Sequence, residues 1–478
     1  MINKTHLKNF LFLSSAESIS GLLFFVAMLF AARMLGPENF GKVTFARSMM
    51  LYFLMIVTAG LDFLGIREGA RDRSRIRELM ENILSLRLVL SAITYAALFL
   101  LLKFYPDDPE TRHAIMIYSG LILLTAISIE WVFQSLENMG ITAIGRILSE
   151  IIFIAVVFIF IREPGDLLWI PAARLLGTVL QNLYYWITGL KAYRSVRLRW
   201  EFPRWAAMLK QSLPMGFGFM MVQVYFYLDS LILGIVGNYE NVGIYSAAYR
   251  ILTSIILVIS MLNKTLYPSL SRLHHESKEK MAHLLQDALQ SVFALTVWIV
   301  FHGLLLSAWG ITLLYGDQYL GSIPLFQILL FDLLVVVING LLAHCVLASD
   351  EEKQYLLSVS LGAVANLILN LCLIPKYGAA GAAVATILSE CFVLFYFAMH
   401  FRRKHISIRW GRLAAILLIG IVTGAPVLFW TDRITLPGAL LAFNILYVAS
   451  LHRTGWLPFG MLMHQIRKKL SRSKETRS

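Results

Sequence analysis

The feature that most constrains this chain is a succession of apolar runs that nearly exhausts its length. They occupy roughly residues 9–34, 42–66, 83–103, 113–134, 141–161, 167–190, 211–236, 242–268, 285–314, 323–347, 354–374, 380–401, 411–430 and 436–452. A helix needs about 20 largely apolar residues to cross the hydrocarbon layer of a bilayer. The runs are continuous rather than alternating, so they predict helices and not the strands of a membrane barrel. The expected fold is an all-α polytopic membrane protein of about 14 transmembrane helices. The first run is too long for a secretory signal core and has no small-residue cleavage site before its end, so it is expected to remain as a helix. Of the 478 residues, 58% are hydrophobic and 15% are charged, against roughly 25% charged in ordinary soluble domains. A soluble enzyme, a disordered chain and a fibrous protein are all excluded by that balance.

The formal net charge is nevertheless +13. No polar segment is long enough to form a nucleic-acid-binding domain, so no nucleic-acid partner is expected. The placement of the cations has a different logic. Of 42 Lys and Arg, 29 fall in the termini and the even-numbered connections, and only five fall in the odd-numbered ones. Cytoplasmic loops of membrane proteins carry such an excess. Both termini are therefore expected in the cytoplasm, with the chain multi-pass in the cytoplasmic (inner) membrane.

The odd-numbered connections are short, which disfavours a membrane glycosyltransferase or ligase with an external catalytic loop. No Gly-x-x-x-x-Gly-Lys-[Ser/Thr] and no His-Glu-x-x-His sequence is present, so neither a P-loop nor a zincin is expected. Cys345, Cys372 and Cys391 match neither a disulfide framework nor a zinc site. They are expected as small core residues. The class that remains is a transporter or channel rather than an enzyme, with no metal site and no cofactor.

Transporters are often built from repeated halves. Leu35-Gly36-Pro37-Glu38-Asn39-Phe40-Gly41 is followed by a helix with Arg47; Gly237-Asn238-Tyr239-Glu240-Asn241-Val242-Gly243 is followed by one with Arg250. The two hairpins join runs 1–2 and 7–8, so the repeat keeps its orientation in the membrane. This predicts an N-terminal six-helix bundle (1–190), a basic linker (191–207), a second six-helix bundle (208–402), two additional helices (403–453) and a basic tail (454–478).

Eight cations are left after the loops are counted: Arg33, Lys42, Arg47, Arg87, Arg146, Arg174, Arg250 and Lys264. An ionised group at mid-membrane costs at least about 2.5–3.5 kcal/mol on insertion scales and usually faces a bundle interior or a wet cavity. Arg33, Lys42, Arg87 and Lys264 are within snorkelling reach of an interface. Arg146 and Glu150 are spaced for an i,i+4 pair. Arg47 and Arg250 hold matching places in the repeat and suit a phosphate or pyrophosphate, which guanidinium grips as a planar fork. Arg174 is a third substrate-binding candidate, and each of the three has the alternative of pairing with an acid. Glu17, Asp229, Asp332 and Glu390 are candidates for coupling to H+ or Na+. Asp62 and Glu130 fall near the cytoplasmic ends of their runs. Pro214, Gly216 and Gly218 are expected to break the start of the seventh helix.

The stretch Arg33 to Gly41 resembles the first external hairpin of polysaccharide-transport (Wzx-type) flippases of the multidrug/oligosaccharidyl-lipid/polysaccharide exporter superfamily. Tyr245-Ser246-Ala247-Ala248-Tyr249-Arg250 and Tyr267-Pro268-Ser269-Leu270-Ser271-Arg272 are similar to the matching eighth-helix pattern. Asn366, Asn370 and the stretch Leu373 to Ala383 resemble the signature of helices 11 and 12. The resemblance implies a V-shaped pair of bundles with alternating access. It implies a polyprenyl-pyrophosphate-linked oligosaccharide as substrate, moved from the inner to the outer leaflet for O-antigen-like or lipopolysaccharide biosynthesis. A polysaccharide polymerase and glycosyltransferases of the same pathway are the expected partners beside the lipid bilayer. A lipid II flippase and a cation-coupled multidrug exporter are the alternatives.

Overall fold

The computed structural model describes residues 4–104, 108–190, 196–236, 238–430 and 435–454. The first five positions of the predicted linker and the tail from 455 onward lie outside the described residues. Among those described, the chain is helical throughout and contains no strand. The helices are α1 (Lys4–Thr58), α2 (Leu61–Arg71), α3 (Ile76–Phe104), α4 (Pro109–Ala126), α5 (Glu130–Ser135), α6 (Met139–Phe160), α7 (Trp169–Leu190), α8 (Phe202–Ile235), α9 (Tyr239–Glu276), α10 (Lys278–Tyr315), α11 (Ser322–Ala348), α12 (Glu352–Arg403), α13 (Trp410–Phe429) and α14 (Leu436–Arg453). Among the described residues, eight helices, or up to nine if the bent α8 is one span, are long and apolar enough by length and composition to cross a membrane.

Most predicted runs coincide with a helix or part of one, but 42–66 is divided between α1 and α2 at Ala59-Gly60 and 113–134 between α4 and α5. Runs 1 and 2 share α1, which breaks at Gly36, where φ is 76°, beside Pro37. Only glycine adopts that conformation without strain, and proline removes a helical donor. Runs 11 and 12 share α12, broken at Gly378 (φ 54°) just after Pro375. α8 bends by 50° close to Gly218, near the break that Pro214 and its glycines predict.

The chain forms two compact units. The first comprises Met1–Ala247 with Leu314–Tyr319, the second Ala248–Leu313 with Leu320–Ser478. In the first, α1, α4, α6 and α7 pack side by side. One end is closed by a cluster of Leu61, Trp131, Phe133, Tyr185 and Trp205, with Trp131 seated on Gly65 and Tyr185 on Gly145. The glycines of the two similar hairpins come together elsewhere in this unit. A β-carbon on Gly41 would overlap the backbone oxygen of Tyr239 and crowd the nitrogen of Gly243, and one on Gly243 would overlap the carbonyl of Pro37.

In the second unit, α13 and α14 dock on α10. Phe301 packs into Gly420 and Gly424, and the Tyr447 hydroxyl donates to the Ala294 carbonyl at 2.9 Å. The Trp298 indole N–H donates to Asn444 Oδ1 (2.8 Å), whose Nδ2 stands 3.0 Å from His302 Nε2. Cys345 is buried, but Cys372 and Cys391 are exposed. The core expectation fails for those two because α12 is apolar on every side, so hydropathy does not separate its lipid-facing side from its packed side.

Candidate functional site

The first unit holds an open cavity of about 440 Å³ lined by Phe24, Arg47, Leu51, Glu150, Arg174 and Thr178, among others. Arg47 enters from the second half of α1. Its guanidinium lies over the Phe24 ring at 4.5 Å and faces Tyr227 at 5.9 Å. Among the described residues, no carboxylate oxygen lies within 4.0 Å of Arg47, which is half-buried. Arg174 projects from α7 onto the same rings, 5.1 Å from Phe24 and 4.4 Å from Phe153. It differs from Arg47 in being neutralised. Glu150 on α6 takes both of its terminal nitrogens, at 2.6 and 3.2 Å. One charge in this cavity is therefore compensated and one is not. Aromatic faces stabilise a guanidinium by about 0.5–2 kcal/mol, less than a mid-membrane charge costs.

A second cavity of about 870 Å³ adjoins the first, and Thr125 and Thr178 line both. It carries Asp62, Arg87, Glu130, Arg146 and Lys210, the amides Gln134, Gln181 and Asn182, and the rings of Phe63, Trp131 and Phe217. Arg87 pairs with Asp62 at 2.7 Å. Arg146 pairs with Glu130 at 2.7 Å and with Glu17 at 3.3 Å. Between α4 and α5 the backbone leaves the helix, and side chains satisfy the released carbonyls. Asn182 donates to Leu124 (3.2 Å), Trp186 to Ile127 (3.0 Å) and Arg87 to Ser128 (3.3 Å). The break is thereby a fixed part of the cavity wall.

Two expectations are corrected here. Arg146 and Glu150 do not pair along α6; each finds an opposite charge on another helix, where a side chain can extend straight to its partner. Arg87 does not snorkel: it is 0% exposed, because Asp62 and the opened α4–α5 backbone supply its partners inside the unit. This larger cavity escaped the sequence reading. Its signal was the pairing of Gln134 and Glu130 one helical turn apart, together with two adjacent amides, Gln181 and Asn182, inside an otherwise apolar run.

The remaining candidates are dispersed. Asp229 on α8 is buried and accepts from the Tyr245 hydroxyl at 2.5 Å. Glu17 is half-exposed and serves Arg146. Arg250 lies on α9 in the second unit, half-buried, and lines neither cavity. Asp332 on α11 and Glu390 on α12 are buried in that unit, and Glu390 accepts from Asn339 Nδ2 at 2.5 Å.

Contacts between connections fall into two sets. At one end, Lys42 meets Glu110 at 2.7 Å and Asn39 donates to the Pro164 carbonyl at 2.9 Å. At the other, Arg199 binds Glu81 at 2.7 Å and Arg204 binds Glu78. The Glu81 and Glu201 carboxylates raise the affinity of the Arg199 guanidinium for its proton. Between α2 and α3, the Ser74 hydroxyl and backbone N–H hold the Asp72 carboxyl below its ordinary range.

Comparison with known proteins places this geometry. The family described as polysaccharide biosynthesis protein matches residues 6–274. A Shigella dysenteriae protein named for O-antigen transport is 22% identical over 81% of this chain and 98% of its own length. A Haloferax volcanii protein named as a low-salt glycan biosynthesis flippase is 22% identical over 85% of this chain and 89% of its own. Among solved structures, the lipid II flippase MurJ in an inward closed conformation superposes with a TM-score of 0.72. It is 16% identical and is matched over 91% of this chain and 97% of its own. An inward-facing multidrug-resistance MATE transporter of the MOP superfamily gives 0.60 at 17% identity, over 84% and 98%. These two likenesses establish the fold.

Proposed function

The chain belongs to the polysaccharide biosynthesis protein family, and from that premise we propose that it is a flippase for a polyprenyl-pyrophosphate-linked oligosaccharide. The observation that carries this reading is Arg47, a guanidinium without a carboxylate partner among the described residues, in a cavity inside an apolar helical unit. A pyrophosphate offers the bidentate oxygens that such a group accepts. The adjoining 870 Å³ cavity joins aromatic rings to amides and paired charges, a lining suited to sugar faces and hydroxyls. The reading assigns the pyrophosphate to Arg47, the glycan to the larger cavity, and the prenyl chain to the bilayer. Alternating access then carries the head group from the inner to the outer leaflet. The names of the O-antigen and archaeal glycan relatives support the substrate class.

Sidedness belongs to the same proposal. Within the first six connections, odd touch odd and even touch even, which supports alternating crossings there; fourteen crossings with both termini in the cytoplasm of a multi-pass inner-membrane protein complete the reading. Arg250 is proposed as the second unit's anion ligand, by its place in the repeat. Arg174 is assigned a supporting part, since Glu150 already holds it. For H+ or Na+ coupling, Asp229, Asp332 and Glu390 remain the buried carboxylates to examine, with Glu17 as the accessible partner of Arg146.

The test is translocation of a fluorescent polyprenyl-pyrophosphate glycan in proteoliposomes. Arg47→Ala is expected to abolish it and Arg47→Lys to retain a fraction, with membrane insertion unchanged in both. Full activity of Arg47→Ala would overturn the assignment. Efflux of cationic dyes in place of glycan movement would favour the multidrug alternative.

A further inference from the structure

In the second unit, outside the residues that line either cavity, the fold assembles three groups from separate segments. His274 and His275 close the C-terminal end of α9, and Asp350 stands in the turn between α11 and α12. One ring nitrogen of each histidine and one carboxylate oxygen of Asp350 lie within 4.8 Å of one another. The existing contacts leave these atoms poorly used. His275 Nε2 and Asp350 Oδ2 are 3.7 Å apart, too far for a hydrogen bond. The two rings stand 5.2 Å apart at 77°, edge to face. His274 Nδ1 is buried with no hydrogen-bond partner among the described residues. A buried ring nitrogen is normally satisfied, so this histidine has an unmet hydrogen-bonding need beside the cluster.

We propose that His274, His275 and Asp350 form a binding site for one divalent transition-metal ion of the zinc or nickel class. Two imidazoles and a carboxylate are the donor set such ions take, with further positions left to water. Magnesium and calcium prefer oxygen donors throughout and are disfavoured. The positive groups nearby are largely answered. Glu351 pairs with Lys404 at 3.3 Å and with His400 at 3.0 Å, while Lys278 lines the same recess. The bound ion ties the end of α9 to the α11–α12 turn, a cross-link within one unit that is independent of the transport reading. Asp350 lies far along the chain from the two adjacent histidines, so no ligand spacing marks the site and no metal was expected.

The test uses the full-length protein in detergent, purified on a non-histidine tag and stripped with chelator. Zn2+ alone is titrated against a chromophoric competitor, with thermal unfolding followed in parallel. One saturable equivalent and a raised Tm are expected. His274→Gln, His275→Gln and Asp350→Asn should each weaken binding by about tenfold or more, while His113→Gln leaves it unchanged. X-ray absorption on the wild type should show imidazole scattering with Zn–N near about 2.0–2.1 Å. A spectrum without imidazole, or undiminished binding in Asp350→Asn and the double histidine variant, would overturn the proposal; the spectrum decides the matter even where a variant fails to fold.

Discussion

Glu150 and Arg174 face each other across α6 and α7 as a two-pronged ion pair, 2.6 and 3.2 Å, within the cavity where Arg47 has no such partner among the described residues. The difference between two arginines that share one aromatic ring makes them separable by experiment.

Arg174→Ala should destabilise the protein by about 3–5 kcal/mol, because it strands the Glu150 carboxylate in a largely buried place. Glu150→Gln with Arg174→Gln removes both charges and should cost markedly less. Thermal or denaturant unfolding in detergent compares the two; equal losses would show that the pair is not coupled.

Glu150→Gln alone should release Arg174 as a second anion ligand beside Arg47. Binding of inorganic pyrophosphate, measured by calorimetry, is expected to tighten relative to wild type. Arg47→Ala should weaken it in either background. An unchanged affinity in Glu150→Gln would place the anion away from this cavity.

The Arg87–Asp62 pair offers a parallel case with a different readout. Asp62→Asn leaves a fully buried guanidinium held chiefly by the Ser128 carbonyl. Loss of about 3–5 kcal/mol is expected, together with faster amide exchange at 127–129, where the opened backbone loses its cap. Protection unchanged at those residues would separate the pair from the helix break.

Asn444→Leu should loosen α14 from α10. It removes the acceptor of the Trp298 indole N–H and the neighbour of His302, for a loss of about 1–3 kcal/mol through unsatisfied polar groups. Proteolysis between α13 and α14 should accelerate in this variant and stay at the wild-type rate in a surface control.

Much of the architecture was legible because the bilayer imposes one length on every element and because Gly36-Pro37 and Pro375 with Gly378 announce their kinks. The sites were less so. Hydropathy marks Arg146 and Glu150 as costly but cannot say which helix faces which, so the adjacent partner was the wrong one; Arg87 was placed at an interface for the same reason. Cys372 and Cys391 show the limit from the opposite side, since in lipid an apolar environment no longer means a core. A repeat singled out Arg47 as a candidate, whereas the larger cavity is lined from α1, α2, α3, α4, α5, α6, α7 and α8 at once and leaves no compact trace in the sequence.

The contact of Gly41 with Gly243 carries a consequence for how such a chain can change over time. The two glycines hold corresponding places in two similar hairpins, and each lies against the backbone of the other hairpin, Gly41 on Tyr239 and Gly243 on Pro37. Neither copy is free to drift at that point: a side chain gained by one must be accommodated by the other's backbone. A pair of substitutions, such as Gly41→Ala with Gly243→Ala, compounds the clash where most paired changes would relieve one. Duplication ordinarily liberates a second copy to diverge, but here the halves remain bound to a shared absence of side chain.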